Sequence, residues 1–293
     1  MEDLTHQPFT AEGMRLRDEE TESADKLARE AFASGVAAGE RDALRWLAVG
    51  LLEQGSYEEA FEMLRGAVDS GRSDLAGFLA DIADDLGEFE TAERYYDLAV
   101  EAGDVDALND FAVFLSDQGR FDEAVSMYER AIEAGDTLAP GGLVSLYAET
   151  PGYLRKALKL GEQFLDERKP MTFSALAGVY ERLGRLDEAE RLDRKAIELG
   201  APRAHTLLAH FLRDIRGDLE GAEREFRLAK ENDELNWGYN LGLILLDTGR
   251  EEEALDVLKH STEWGDLEAK QLLETVFGDE ESASDEPAGS DRE

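Results

Sequence analysis

The chain has no cysteine. Disulfides, thiolate nucleophiles and cysteine-held metals are thereby excluded, and the composition suits a reducing compartment. Histidine is almost as scarce, with 4 in 293 residues. His205 and His210 lie five apart, which on a helix turns them to different faces, whereas a chelating pair needs one-turn spacing. Long apolar runs are missing too: the run at residues 241–246 falls far short of the roughly 20 residues that cross a bilayer. Residues 1–9 include Glu2, Asp3, His6 and Pro8 and offer neither a basic start nor an apolar stretch. Neither a membrane span nor a secretory or transit signal is expected, and the expected location is the cytoplasm.

Positive charge is in short supply. There are 31 basic residues against 68 acidic ones, a net charge of −37. Residues 1–22 hold seven acids and two bases, and residues 278–293 seven acids and one base, so most of the excess lies between them. Such a field repels nucleic acid and anionic membrane surfaces and attracts cationic partners, more weakly as salt rises. The competing reading is that the charge only keeps the protein in solution. Phosphate-binding glycine loops, dinucleotide glycine patterns and a serine elbow are all absent. Close carboxylate pairs abound, but an acidic helical surface always supplies them, so they say nothing of acid–base catalysis. No catalytic residue, cofactor or metal site is assigned, and the chain reads as non-catalytic.

What is present is a ladder of alanines, Ala60, Ala92, Ala124, Ala157, Ala189, Ala222 and Ala254, at steps of 32 or 33 residues. A second ladder, Gly55, Gly87, Gly119, Gly152, Gly184, Gly217 and Gly249, runs five residues ahead of it. A period of this length means stacked helical hairpins. In the third repeat, residues 106–115 carry apolar side chains at helical spacing. Gly119 ends that helix, and Ala124, Tyr128, Ala131 and Ile132 mark the buried stripe of the next. Small residues recur where two helices of a hairpin would cross: Ala48, Ala80, Ala112, Ser145, Ala177, Ala209 and Gly242 on the first helix, facing the ladder alanines on the second. The fourth repeat is irregular, with Pro140-Gly141-Gly142 at the entry to its first helix and Pro151-Gly152 at its turn; a shortened or kinked helix is expected there. The sixth has one extra residue, in the turn Ile215-Arg216-Gly217-Asp218.

This order of small, large and turn positions resembles the tetratricopeptide repeat, over roughly residues 41–277. Links such as Gly103-Asp104-Val105-Asp106-Ala107-Leu108 and Gly265-Asp266-Leu267-Glu268-Ala269 are closer to those of Sel1-like repeats, a related hairpin family. The chain departs from the tetratricopeptide pattern in its shorter period, in lacking the closing proline from most repeats, and in rarely having tryptophan near the start of the first helix. The resemblance implies an all-α fold, a right-handed α-solenoid of stacked antiparallel hairpins. The expected organisation is a polar segment at 1–23 that includes a degenerate helix, an N-terminal capping helix at 24–40, seven repeats at 41–266, a C-terminal capping helix at 267–277 and an acidic disordered tail at 278–293.

The resemblance also implies that the first helix of each repeat lines a concave groove that holds a partner segment. In the first three repeats the corresponding places hold eight acids and one base, Arg45; in the last four, acids and bases are nearly balanced and apolar side chains are more frequent. The candidate site is therefore acidic, made of Asp74, Asp81, Asp84, Asp85, Asp106, Asn109 and Asp117. Its expected occupant is a Lys/Arg-rich protein or peptide segment. The cluster of basic residues with which some tetratricopeptide proteins hold a partner's carboxyl terminus is lacking there. The rival readings are a self-associating structural protein and the regulatory subunit of an enzyme, and the oligomeric state is left open. Because a charged segment without apolar anchors buries almost nothing, removing residues 279–293 is expected to leave the thermal midpoint nearly unchanged. A large drop in a calorimetric melt would show that the tail docks.

Overall fold

A computed structural model of the chain describes residues 7–17 and 22–283, and every regular element among them is helical. The helices pair along the chain: α1 (Pro8–Arg17) with α2 (Glu22–Ala38), α3 (Ala43–Leu52) with α4 (Tyr57–Asp69), α5 (Ala76–Asp85) with α6 (Phe89–Ala102) and α7 (Asp106–Asp117) with α8 (Phe121–Ala134). The order continues with α9 (Ala139–Glu149) and α10 (Leu154–Phe164), α11 (Pro170–Arg182) and α12 (Leu186–Glu198), α13 (Ala204–Phe211) and α14 (Leu219–Glu231), and α15 (Trp237–Asp247) and α16 (Glu251–Glu263). It closes on a single helix, α17 (Leu267–Ala283). Contacts divide the chain between Ala139 and Pro140 into two compact bodies, each an α-solenoid of stacked antiparallel hairpins.

The crossing within each hairpin is dry and tight. All seven ladder alanines have 0% exposure, as do Ala48, Ala80, Ala112 and Ala209 across from them. Where the chain uses glycine at the crossing, a methyl group would collide: a Cβ on Gly242 would lie 2.6 Å from a Leu258 methyl, and four residues past Ala157 one on Gly161 would lie 2.8 Å from Leu176. The larger core residues fill the space beside the crossing. In the first body Tyr96 stacks on Phe111 at 5.1 Å between ring centres, with Phe114 at 5.4 Å. In the second, Phe226 is fully buried among Leu208, Phe211 and Leu241.

Turns follow from the second ladder. Gly119 takes φ +71°, a left-handed conformation that costs a glycine nothing. The amide of Arg120 then reaches back to the Leu115 carbonyl at 2.8 Å, closing α7. Between hairpins the work passes to carboxylates. Asp136 accepts from the amides of Leu138 (2.7 Å) and Ala139 (2.6 Å), and Asp266 from that of Ala269 (2.8 Å), in each case just ahead of or within the first turn of a helix. Glu234 accepts from His205 and Thr206 at the start of α13, and Glu40 from Phe9 and Thr10 at the start of α1. Each satisfies amides that have no partner within their own helix and places negative charge at the positive end of its dipole. Part of the chain's acidity is therefore structural.

Three places differ from the expectation. α9 is an unbroken α-helix of 11 residues and is not shortened. Pro140 falls in its first turn, where no amide is needed, and Gly141 lets α11 approach, since a Cβ there would sit 2.8 Å from that of Met171. The extra residue of the sixth repeat is taken up as a π-helical turn, Leu212–Arg216, at the end of α13. At the C-terminal end α17 runs past residue 277 to Ala283, while residues 284–293 of the expected tail lie outside the described residues. At the other end α1 and α2 form a hairpin of their own, with Leu16, Ala28 and Phe32 buried together.

Ala124 sits at the crossing of α7 and α8 with 0% exposure. Its replacement by leucine is expected to destabilise the fold by about 1–3 kcal/mol through overpacking. A denaturant melt measures this, and an unchanged midpoint would mean a looser crossing.

Candidate functional site

The sequence-selected acids do not form one array. Asp74 lies in a short 3₁₀ turn ahead of α5 and is held by Arg72 at 2.9 Å and Arg41 at 3.5 Å. The hydrogen bond from Arg72 keeps its carboxyl below the usual range. Its charge is answered locally, so it is not available to a partner in the way the others are. Asp106, exposed at the start of α7, stands one turn from Asp110, and Asn109 donates to Asp110 at 3.2 Å.

Of the remaining acids, Asp81 and Asp84 meet between α5 and α7, while Asp85 and Asp117 act on them without lining the same hollow. Asp81 and Asp84 from α5 and Asp110 and Val113 from α7 line an open hollow of about 270 Å³, with Tyr96 of α6 and Phe114 of α7 as its aromatic wall. Asp81 accepts a hydrogen bond from the Tyr96 hydroxyl at 2.8 Å. Burial raises its carboxyl to about 6, the Tyr96 bond opposes the rise, and Asp110 and Asp85 add to it. Asp84 is raised by burial and then by Asp85 and Asp117. Asp110 is likewise raised, by burial first and then by Asp106, Asp136 and Asp104. None of Asp81, Asp84, Asp85, Asp110 and Asp117 joins an ion pair among the described residues, and the base that acts on Asp81, Arg45, has the smallest of the effects on it and lies over the ring of Phe78. Like charges held close together and partly dried are costly to keep ionised, and a cation placed among them relieves that cost.

Asp110 was absent from the sequence-selected set. It belongs to the third repeat yet faces the second, so no pattern within one repeat marks it. A second missed group is Asp193 on α12, only 6% exposed and without a hydrogen bond to its carboxylate among the described residues. Burial, reinforced by Glu181 and Glu190, pushes it up to about 8. In the second body Arg213 is occupied: it donates to Asn240 at 2.6 Å and to Asp214 at 2.6 Å, and lies 3.0 Å from His210. His205 bonds Glu225 at 2.8 Å, so the two histidines serve different partners. Among the described residues no three His, Asp or Glu side chains are grouped to hold a metal ion, and no helix is long and apolar enough to cross a membrane.

Three family models of the tetratricopeptide repeat match the chain: one at residues 105–134 and 171–200, one at 15–74 and one at 73–102 and 239–264, together more than half of its length. The chain is a tetratricopeptide-repeat protein. Repeats of this family mediate protein–protein contacts and typically build non-catalytic scaffolds. No curated protein matches the chain. Among solved structures it is similar to a tetratricopeptide repeat protein from Parabacteroides merdae, at 18% identity and TM-score 0.51 over 80% of this chain and 97% of that one. Yeast Tom70 is similar at 15% identity and TM-score 0.67, over 97% of this chain and 66% of that one. A thermophilic tetratricopeptide-repeat protein of Thermus thermophilus shares 20% identity with TM-score 0.50, over 59% of this chain and 99% of that one. At such identities the likeness is one of fold.

Asp193 gives this tetratricopeptide-repeat protein a pH dependence of definite sign. Its folded-state value lies above that of an unfolded aspartate, so the native state holds the proton more tightly. Its favourable contribution is complete below about pH 4 and is lost as pH rises through about 8. Asp193→Asn should therefore raise stability at pH 9 by an amount on the order of a few kcal/mol and change it little at pH 4. Melts of both proteins across that range provide the check, and equal shifts at the two ends would contradict the assignment.

Proposed function

We propose that this tetratricopeptide-repeat protein is a non-catalytic scaffold that holds a Lys/Arg-rich segment of a partner protein in the hollow between α5 and α7. The observation that carries this reading is the convergence of Asp81, Asp84 and Asp110 on an aromatic wall with no basic side chain paired to them. Such a site suits both parts of a basic side chain. The carboxylates attract the charged head, and the rings of Tyr96 and Phe114 pack against the methylene stem. Asp85 and Asp117 extend the same field along the surface.

Self-association has one observation in its favour. Leu235, Trp264 and Leu267 are 70%, 69% and 77% exposed, and Leu235 and Trp264 line one apolar hollow with Trp237 and His260. Its mark would be a sedimentation coefficient that rises with protein concentration.

The acidic-site reading is tested with a short lysine-rich peptide. Binding should weaken about tenfold or more between low and physiological salt, as exposed charge pairs do. Asp81 is unsuited to charge reversal because it is tied to Tyr96, so Asp84→Lys with Asp117→Lys is the variant of choice. It should abolish peptide binding, measured by fluorescence anisotropy, while the circular dichroism spectrum stays intact. Equal binding by the doubly reversed protein would leave the acidity as a solubilising surface.

A further inference from the structure

Four residues after a ladder alanine, the second helix of a hairpin faces the foot of the first, and in the fourth repeat Gly161 stands there against Leu176. In the second, sixth and seventh repeats the residue there is Tyr96, Phe226 and Leu258, all buried. In the fifth it is Asp193. The place above it on the first helix is what covers it. Asp81 covers Tyr96 through their 2.8 Å hydrogen bond, and His210, at the same place in the sixth repeat, sets its ring edge-on to Phe226 at 5.3 Å. The fifth repeat has Gly178 there, and a Cβ built on it would meet no atom within 4 Å. The spacing of fifteen residues is that of Asp81 and Tyr96, so the repeat register sets Asp193 against an open place that a side chain fills in the other two repeats.

The carboxylate below that gap lacks a partner. Glu181 of α11 and Glu190 of α12 both act against its charge, and the arginines beside them, Arg194 and Arg216, pair with Glu190 and not with Asp193. A nonpolar residue at this place would be the ordinary solution, as Phe226 and Leu258 show. Keeping a nearly buried carboxylate ionised with no protein partner is costly, and a cation that reaches it relieves that cost. A metal ion is poorly served, because no third ligand is grouped there. A slim methylene stem carrying an ammonium suits a gap one side chain wide better than the broad guanidinium fork.

We propose that the gap over Gly178 receives a lysine side chain from a bound protein segment, its ammonium pairing with Asp193. The inference rests on the reading that the repeats hold a partner segment, but it places this contact in the second body, apart from the acidic hollow of the first.

The test is an NMR titration with the tripeptide acetyl-Ala-Lys-Ala-amide at a pH of about 8.5, where Asp193 carries its charge. The backbone amide of Gly178 and the side-chain carboxyl carbon of Asp193 report on the site. Both signals should shift saturably with the lysine peptide and stay still with its norleucine counterpart. Asp193→Asn, a neutral replacement of the same shape, should weaken binding at least about tenfold. Asp84→Lys with Asp117→Lys should leave these two signals responding as before, so failure of the acidic-hollow reading and failure of this one are separately visible. The proposal is overturned if the lysine peptide moves neither signal, if Asp193→Asn binds equally well, or if an arginine peptide shifts both signals as strongly as lysine.

Discussion

The crossing of two helices over an alanine is the constraint on which the rest depends. With no side chain larger than a methyl group at the contact, the two backbones close to a distance that leaves no room for adjustment. The large apolar residues then have only one place to go, beside the crossing, and one hairpin's surplus becomes the next hairpin's wall. Tyr96 shows the sequence of causes. Ala92 brings α6 against α5, Tyr96 one turn later is driven into the space between α5 and α7, and its hydroxyl emerges where Asp81 can accept from it. The acidic hollow is thus a by-product of the packing rule, furnished with charge.

Acidic residues in this protein have at least two kinds of work, and the structure separates them. Glu40, Asp136, Glu234 and Asp266 are spent on helix amides at the junctions. Glu93, Glu123, Glu223 and Glu253 are spent on arginines. Asp81, Asp84 and Asp110 are spent on neither, and they gather at one aromatic surface. Net charge alone does not distinguish these groups, whereas their partners do.

The hairpin stack was legible because its signals are local and repeat. Ala124 and Gly119 mean the same thing in every copy, and seven copies leave little freedom of interpretation. The acidic character of the region around α5 was legible for the same reason. Which acids meet was not. Asp74 shares a repeat position with Asp106, yet only the structure shows Arg72 and Arg41 closing on it. Asp110 lies outside the positions taken from the family because its role is a contact between repeats. Asp193 sits on a helix crowded with charges, and nothing in its own repeat position marks it as the one that is buried without a hydrogen bond. Pro140 misled in the opposite direction: proline inside a helix breaks it, but proline in the first turn is harmless, and the difference is a matter of two residues.

The π-helical turn at Leu212–Arg216 has a consequence for how such an array can change over generations. One surplus residue is swallowed within a single turn, and Ala222 of α14 still arrives at its crossing with 0% exposure. A lone codon insertion therefore need not be lethal to the layers that follow. Length drift of this kind gives the lineage a route to altered spacing between surface features without duplicating or deleting a whole hairpin.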